Sequence, residues 1–213
     1  MYRATEHTKA NAQRRHDAIT EAARQQIIEG GFRSATVKAV ARRAGCSTGL
    51  IYQYFPNAEA LLKGAFAHIA KQELAVFHHV LHSSPDIETA LAYGIETAVR
   101  RALAGPRQAD ALLFEALPQL VEEERLVFRR HWAYTLSQRL DRGIADGQLP
   151  SQDTQFIGTA IMGAIIENLL PRLHTTTATR HTNQPPDVFI AALQDLSRRI
   201  VGLPQQDNHR GAL

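Results

Sequence analysis

Apolar residues recur at steps of three and four along nearly all of this 213-residue chain. That spacing places them on one face of an α-helix, and no segment sustains the alternation of apolar and polar residues that is typical of a strand. A chain of this length can bury a substantial core without disulfides or metals. The sequence therefore predicts an all-α fold.

Turn signals divide the chain into nine predicted helices. Glycine, proline and short polar clusters separate them, and Thr36 and Ser47 have the residue type of an N-cap. With these two caps counted in, the predicted helices span 12–29, 36–44, 47–55, 58–81, 87–103, 108–117, 121–145, 154–173 and 188–201. The polar, threonine-rich stretch 174–187 predicts a loop or a mobile linker.

Charge is distributed unevenly between the two parts of the chain. Residues 1–64 hold ten Lys or Arg and five Asp or Glu, whereas the rest holds 14 basic and 16 acidic residues. A basic N-terminal third favours contact with a polyanion, although a solvated surplus of charge gives the same pattern. The single cysteine, Cys46, the N-terminus without an apolar leader and the shortness of the longest apolar run favour a soluble, cytoplasmic protein with no membrane partner.

Residues 36–55 have the spacing of a helix-turn-helix. Two short helices that cross over a tight turn need a small residue where they approach, a residue that tolerates positive φ, and an aliphatic residue that packs back. Ala41, Gly45 and Ile51 meet these needs in turn. The other predicted inward positions are apolar or amphipathic: Val40, Ala44, Cys46 and Tyr54.

The stretch TVKAVARRAGCSTGLIYQYFPNAEALLKGAF (36–66) resembles the DNA-binding domain of the TetR/AcrR family of transcriptional regulators. The family pattern G-x-S-x-G-x-[LI]-Y-x-x-F is met at Gly45, Ser47, Gly49, Ile51, Tyr52 and Phe55. The resemblance covers roughly residues 12–66. It implies a three-helix DNA-binding domain over 12–60, a larger helical ligand-binding and dimerisation domain over 61–203, and a flexible tail over 204–213.

By this resemblance, the helix 47–55 enters the major groove of an operator. Gln53 has the bidentate amide that suits adenine, Tyr52 can contact a phosphate and a thymine methyl, and Gly49 lets the backbone approach the duplex. The family often has a lysine in the first turn of the next helix; this chain has Ala58 there, and we expect Lys63 to replace it. The predicted DNA contacts are Thr36, Lys38, Ser47, Thr48, Gly49, Tyr52, Gln53 and Lys63, with Arg14 and Arg15 as further candidates.

The last two predicted helices are candidates for dimerisation. The helix 154–173 is apolar on most sides and must be buried on more than one of them, either within one subunit or against a second copy. The resemblance implies a homodimer through these helices and a small-molecule effector, which the scarcity of interior charges suggests is apolar or aromatic. We expect the pocket to involve Tyr93, Phe128 and Trp132, and we expect no cofactor.

Two other functions fit isolated motifs. The stretch GCSTG (45–49) matches the nucleophile elbow of serine hydrolases, but that elbow follows a buried strand, and the residues before Gly45 have a helical period. His78 and His82 lie one turn apart with His68 further back, which is half of a metal site. We therefore expect neither an enzyme nor a metal centre, and favour a repressor that a small molecule releases from a palindromic operator. A serine hydrolase and a metal-responsive regulator are the alternatives.

Overall fold

The computed structural model describes residues 6–174 and 184–204, and within these ranges it contains helices and no strand. The prediction of an all-α fold is confirmed. The α-helices are α1 (Glu6–Gly30), α2 (Val37–Arg43), α3 (Thr48–Tyr54), α4 (Ala58–Leu81), α5 (Ile87–Ala104), α6 (Pro106–Leu113), α7 (Gln119–Ala145), α8 (Thr154–Leu173) and α9 (Pro186–Ile200), and a 3₁₀ helix spans Phe32–Ser34.

Most helices begin and end within two residues of the predicted bounds, and the exceptions have local causes. Helix α1 begins at residue 6 rather than 12, because nothing in its polar first turns breaks a helix. Helix α6 begins at Pro106, since proline suits the first position of a helix, and it ends at Leu113 rather than 117. Of the predicted tail only residue 204 is described, and most of the predicted loop 174–187 likewise lies outside the described residues.

The chain forms two compact units. Unit 1 comprises residues 1–73 and 105–128, and unit 2 comprises residues 74–104 and 129–213. The segment 105–128 belongs to unit 1 because α6 packs against α1. The predicted functional domains, 12–60 and 61–203, stay a prediction.

Three aromatic rings lie at the centre of unit 1. The ring centroid of Phe66 lies 6.0 Å from that of Phe32 and 6.3 Å from that of Phe128, the second contact being edge to face. Each fully buried side chain of this size contributes about 1.5–3 kcal/mol to folding. The buried aliphatic residues of this unit include Ile19, Ile27, Val40, Ile51, Leu61, Ile69, Leu112 and Val121.

Unit 2 has its own core, and a buried arginine fixes one of its turns. The rings of Phe77 and Trp132 stack with centroids 4.0 Å apart. The guanidinium of Arg139, only 1% exposed, donates to the carbonyl oxygens of Leu81 (3.1 Å), Ser84 (3.2 Å) and Pro85 (2.9 Å). Burial lowers the pKa of Arg139. These bonds satisfy carbonyls at the end of α4 and hold the turn into α5.

Helix α8 is unusually apolar for a helix that leaves so much surface exposed. By length and composition alone it could cross a membrane. Of the residues in its most apolar window, 28% are buried inside the structure. Ile161, Ile165 and Leu169 pack inside unit 2, whereas Phe156 is 73% exposed and Leu170 is also exposed. Helix α9 likewise exposes apolar side chains, Val188 and Leu196.

Candidate nucleic-acid interface

Helices α2 and α3 are joined by a tight turn that the sequence specifies locally. Thr36 caps α2 by accepting a hydrogen bond from the N–H of Ala39 through its hydroxyl oxygen at 3.2 Å. Gly45 adopts φ 64°, a conformation that favours glycine, and the next N–H, that of Cys46, donates to the carbonyl of Ala41 at 3.0 Å. The chain therefore leaves α2 in a direction that lets α3 cross it.

Ser47 begins α3 as an N-cap and not as a nucleophile. Its hydroxyl oxygen accepts the N–H of Leu50 at 3.1 Å, which leaves the hydroxyl hydrogen to donate to an outside acceptor. The residues before Ser47 form α2, and the described part of the chain has no strand on which an elbow could be built.

One side of α3 packs into unit 1. Ile51 is fully buried, and Phe55, which ends the helix, stacks on the ring of His16 with centroids 4.9 Å apart. Tyr54 makes an edge contact with the same imidazole at 6.4 Å. Ala44, Cys46 and Tyr54, predicted to point inward, are half-buried, whereas Val40 is fully buried.

The opposite side of α3 is exposed. Thr48, Tyr52 (52% exposed) and Gln53 take part in none of the described side-chain hydrogen bonds or ion pairs. Nothing inside the fold requires Gly49, since a Cβ there would lie no closer than 3.8 Å to a neighbour. A glycine inside a helix costs about 1 kcal/mol relative to alanine. The described fold therefore gives no internal reason for a glycine here, and its role in a close approach to DNA stays a prediction.

Cations around the motif divide into free and paired groups. Lys38 and Arg42 are exposed and have no partner among the described contacts, whereas Arg43 pairs with Glu29. The ammonium of Lys63 lies 3.1 Å from the Glu124 carboxylate, so a phosphate would have to replace that partner. Arg14 and Arg15 are exposed on α1. The DNA-contact role of each predicted residue stays a prediction.

The segment 105–128 contacts the 3₁₀ helix and α4, which flank the helix-turn-helix on either side in the chain, through polar groups that sequence reasoning missed. The Glu59 carboxylate accepts the N–H of Leu120 at 3.0 Å, and Gln108 donates to Glu73 at 2.8 Å. The Glu115 carboxylate accepts the N–H groups of Phe32 and Arg33. No short sequence pattern predicts these pairs, because the two members of each pair lie 35 to 83 residues apart in the chain.

None of the described ring contacts joins two of the three predicted pocket residues. Tyr93 is 53% exposed, Trp132 stacks on Phe77, and Phe128 packs against Phe66. They stay a prediction. A cavity of about 290 Å³ between α8 and α9 is lined by other residues, among them Asn168, Arg172, Phe189, Leu193 and Leu196. The guanidinium of Arg172 lies 4.0 Å above the Phe189 ring, and burial lowers its pKa.

The histidines of the possible metal group are engaged with near neighbours. The rings of His78 and His82 stack with centroids 4.2 Å apart, and Nδ1 of His82 lies 2.8 Å from the carbonyl oxygen of His78. His68 lies 3.1 Å from Gln72 and 3.7 Å from Glu21. Among the described residues, no three potential ligands form a group that could hold a metal ion.

The molecule has two capped short helices joined by a glycine turn, and the second helix exposes a polar side. These features define the class of helix-turn-helix proteins that bind DNA. Residues 19–65 match the family model described as bacterial regulatory proteins, tetR family. This part of the chain is therefore a DNA-binding domain of the kind found in the TetR family of transcriptional regulators.

Similarity in sequence is concentrated in the N-terminal region. The HTH-type transcriptional regulator BetI of Klebsiella pneumoniae (strain 342) is 36% identical over 72 residues, which are 34% of this chain and 37% of that protein. BetI of Escherichia coli (strain K12 / DH10B) is 35% identical over 71 residues, or 33% and 36% of the two chains. The match thus spans little more than a third of these curated relatives.

Similarity in fold covers nearly the whole chain. The fatty acid degradation regulator FadR of Bacillus halodurans superposes with a TM-score of 0.70 at 21% identity, over 90% of this chain and 97% of that one. FadR of Bacillus subtilis, solved in complex with stearoyl-CoA, gives a TM-score of 0.68 at 20% identity over 88% and 98%. A TetR-family regulator of Pectobacterium atrosepticum gives 0.71 at 19% identity over 93% and 100%. At these identities the likeness shows the fold alone.

Proposed function

We propose that this chain is a cytoplasmic, sequence-specific DNA-binding repressor that binds a palindromic operator as a dimer and is released by a small molecule. The observation that carries the proposal is the exposed side of α3. Its polar side chains have no partners within the described fold, and its glycine has no internal use. A polar helix face beside free cations offers the hydrogen-bonding groups and the positive charge that contact DNA bases and phosphates.

Each exposed group of the motif has a matching role on DNA. The Gln53 amide can donate to N7 and accept from N6 of adenine in the major groove, and the Tyr52 ring can cover a thymine methyl. The hydroxyl of Ser47 and the N-terminus of α2 at Thr36 suit phosphate oxygens. Lys38 adds a phosphate contact close to the same helix.

Dimerisation through α8 and α9 is supported by the apolar side chains that these helices expose. Gly158 and Gly163 show that α8 has an inner and an outer side. A Cβ on Gly158 would lie 2.7 Å from the carbonyl oxygen of Ala133, whereas a Cβ on Gly163 would meet nothing within 4 Å. Burying Phe156 and Leu170 against a second copy removes their apolar surface from water. Such a dimer places two α3 helices in successive major grooves, roughly 34–36 Å apart.

Release by an effector follows if the ligand favours a dimer geometry that no longer fits this spacing. Helix α4 contributes residues to both compact units, and we propose it as the lever that carries the change. We propose an apolar or aromatic effector; the proposal is supported by FadR of B. subtilis, a protein of similar fold that was solved in complex with stearoyl-CoA.

Selection of DNA from a random duplex pool tests the proposal because it requires no assumption about the operator sequence. The purified full chain should enrich a sequence with two inverted half-sites, and footprinting on the promoter beside its own gene should protect the same sequence. A screen of small molecules for release from that duplex then tests the effector. If no sequence is enriched over the starting pool, the chain is not a sequence-specific DNA-binding protein.

A further inference from the structure

The 3₁₀ helix that leads into the DNA-binding motif is capped by a residue from a distant segment. Its N-cap position is Gly31 (φ 74°, ψ 179°), which has no side chain to accept the first N–H groups. The Glu115 carboxylate supplies the acceptors: the N–H of Phe32 donates to Oε2 at 2.9 Å and that of Arg33 to Oε1 at 3.3 Å. A charged acceptor makes such bonds stronger than a neutral one does.

The carboxylate of Glu115 fills the space beside Gly31 that the missing side chain leaves. A Cβ on Gly31 would lie 2.8 Å from Oε2 and 3.1 Å from Oε1 of Glu115, so only glycine leaves room for the carboxylate and tolerates the backbone conformation. On the other side of the turn, the hydroxyl oxygen of Ser34 lies 2.8 Å from the carbonyl oxygens of both Gln26 and Gly31, and its one hydrogen is shared between these two acceptors. The turn therefore has a defined geometry in which the carboxylate is one of the fixed parts.

Glu115 itself is held from behind by the end of α6. Its N–H donates to the carbonyl of Asp110 at 2.9 Å. The buried guanidinium of Arg125 donates to the carbonyl oxygens of Glu115 and Ala111, and Glu122 pairs with it at 3.2 Å. Because these bonds fix the backbone of Glu115 to the end of α6, the position of its carboxylate follows that of α6.

We propose that Glu115 is a positioning residue for the DNA-binding motif, through which the position of α6 is imposed on α2. The 3₁₀ helix passes directly into Thr36, whose N–H donates to the carbonyl of Ser34 at 2.9 Å and whose hydroxyl caps α2. Without the carboxylate, two N–H groups lose their acceptor and a Gly-Gly turn regains its large conformational freedom. The inference rests on the proposed DNA-binding function.

Glu115→Ala and Glu123→Ala form a matched pair for the test. Glu123 is exposed on α7 in the same unit and takes part in none of the described contacts, so both variants lose one negative charge. Loss of an acid alone should tighten DNA binding, whereas loss of positioning should weaken it. We expect Glu115→Ala to weaken binding to the selected duplex roughly tenfold, which corresponds to one charge-assisted hydrogen bond. Binding to a scrambled duplex should not weaken.

Hydrogen exchange at backbone amides locates the effect. Glu115→Ala should speed exchange at Phe32, Arg33 and α2, and Glu123→Ala should not. Coupling between two sites is reciprocal, so the selected duplex should also slow exchange in α6 of the wild type. That slowing should be absent in Glu115→Ala, and a purely structural role would not produce the difference.

Thermal unfolding establishes that the compared variants are folded. If Glu115→Ala is unfolded, Glu115→Gln is compared with Glu123→Gln, because the amide oxygen retains one acceptor and should give an intermediate loss of affinity. Equal DNA affinity and equal exchange in the matched variants would overturn the inference and leave the proposed function intact. A wild type that selects no sequence overturns the proposed function instead, while exchange at Phe32 and Arg33 still tests the contact with Glu115.

Discussion

Helices α3 and α8 both leave large side chains exposed, but the chemistry of the two surfaces is opposite. The surface of α3 consists of hydrogen-bonding groups without partners, such as Gln53, whereas that of α8 includes Phe156 and Leu170. Apolar surface gains free energy whenever it is buried, irrespective of its exact partner, whereas unpaired polar edges gain only from a partner with matching donors and acceptors. In the proposed function, the surface of α8 joins two copies of the chain and the surface of α3 selects the DNA sequence.

The largest effect should come from the apolar surface. Phe156→Glu puts a charge where we propose that a second copy is buried, which should convert the dimer into a monomer. A monomer contacts only one half-site and therefore binds weakly. Affinity for the selected duplex should fall roughly a hundredfold or more. Analytical ultracentrifugation measures the first change and a DNA titration the second.

Leu126→Glu is the control for this substitution. Leu126 is also an exposed apolar residue, but it lies on α7 in unit 1 rather than on α8 or α9. It should leave the oligomeric state unchanged. If Phe156→Glu and wild type sediment alike, the exposed side of α8 is not where two copies meet.

The polar surface should show its role in sequence preference rather than in assembly. Gln53→Ala should lose about 1–3 kcal/mol of discrimination at one base pair in each half-site, while the dimer persists. Repeating the selection with this variant should give a motif that is degenerate at that position and otherwise unchanged. An identical motif from the variant would assign base readout to another side chain of α3, with Tyr52 as the next candidate.

What the sequence could predict in these two regions depended on the range of the contacts. The caps at Thr36 and Ser47 bond to N–H groups three residues away, and the turn at Gly45 requires its φ locally, so a short pattern contains all of this information. Helical periodicity likewise predicted the bounds of α4 and α8 to the residue.

Contacts between distant segments could not be predicted in the same way. The double glycine at Gly30 and Gly31 predicted the end of a helix, but not that a carboxylate 83 residues from Phe32 fills the space that the second glycine leaves. Arg139 gave no sign in the sequence that it would be buried among carbonyl groups. Single aromatic residues such as Trp132 fit a core and a ligand pocket equally well, because either environment is apolar.

Lys63 differs from the residues of both surfaces, because it is polar but already has a partner within the fold, Glu124. Lys63→Ala should weaken binding to every duplex by a few fold and reduce the slope of log affinity against log salt by about one. Glu124→Gln frees the ammonium and should have the opposite effect at low salt. DNA titrations at several salt concentrations distinguish these outcomes. If neither variant changes the slope, the pair serves only to join α4 to α7.

The smallest effect should come from a polar group that the fold itself satisfies. The pKa of Glu21 is lowered from an ordinary 4.5 to about 2, chiefly by a two-pronged hydrogen bond from Arg24, with smaller contributions from Gln25 and His68 and against the opposing effect of burial. A depressed pKa stabilises the fold fully above pH 4.5, and this contribution is lost as the pH falls toward 2. The side chain is 45% exposed, so solvent screening should keep the effect of Glu21→Gln on unfolding below about 1 kcal/mol at pH 7. Urea unfolding of wild type and variant should show this gap at pH 7 and a narrower one at pH 3. A gap independent of pH would mean that the amide has lost packing and not charge.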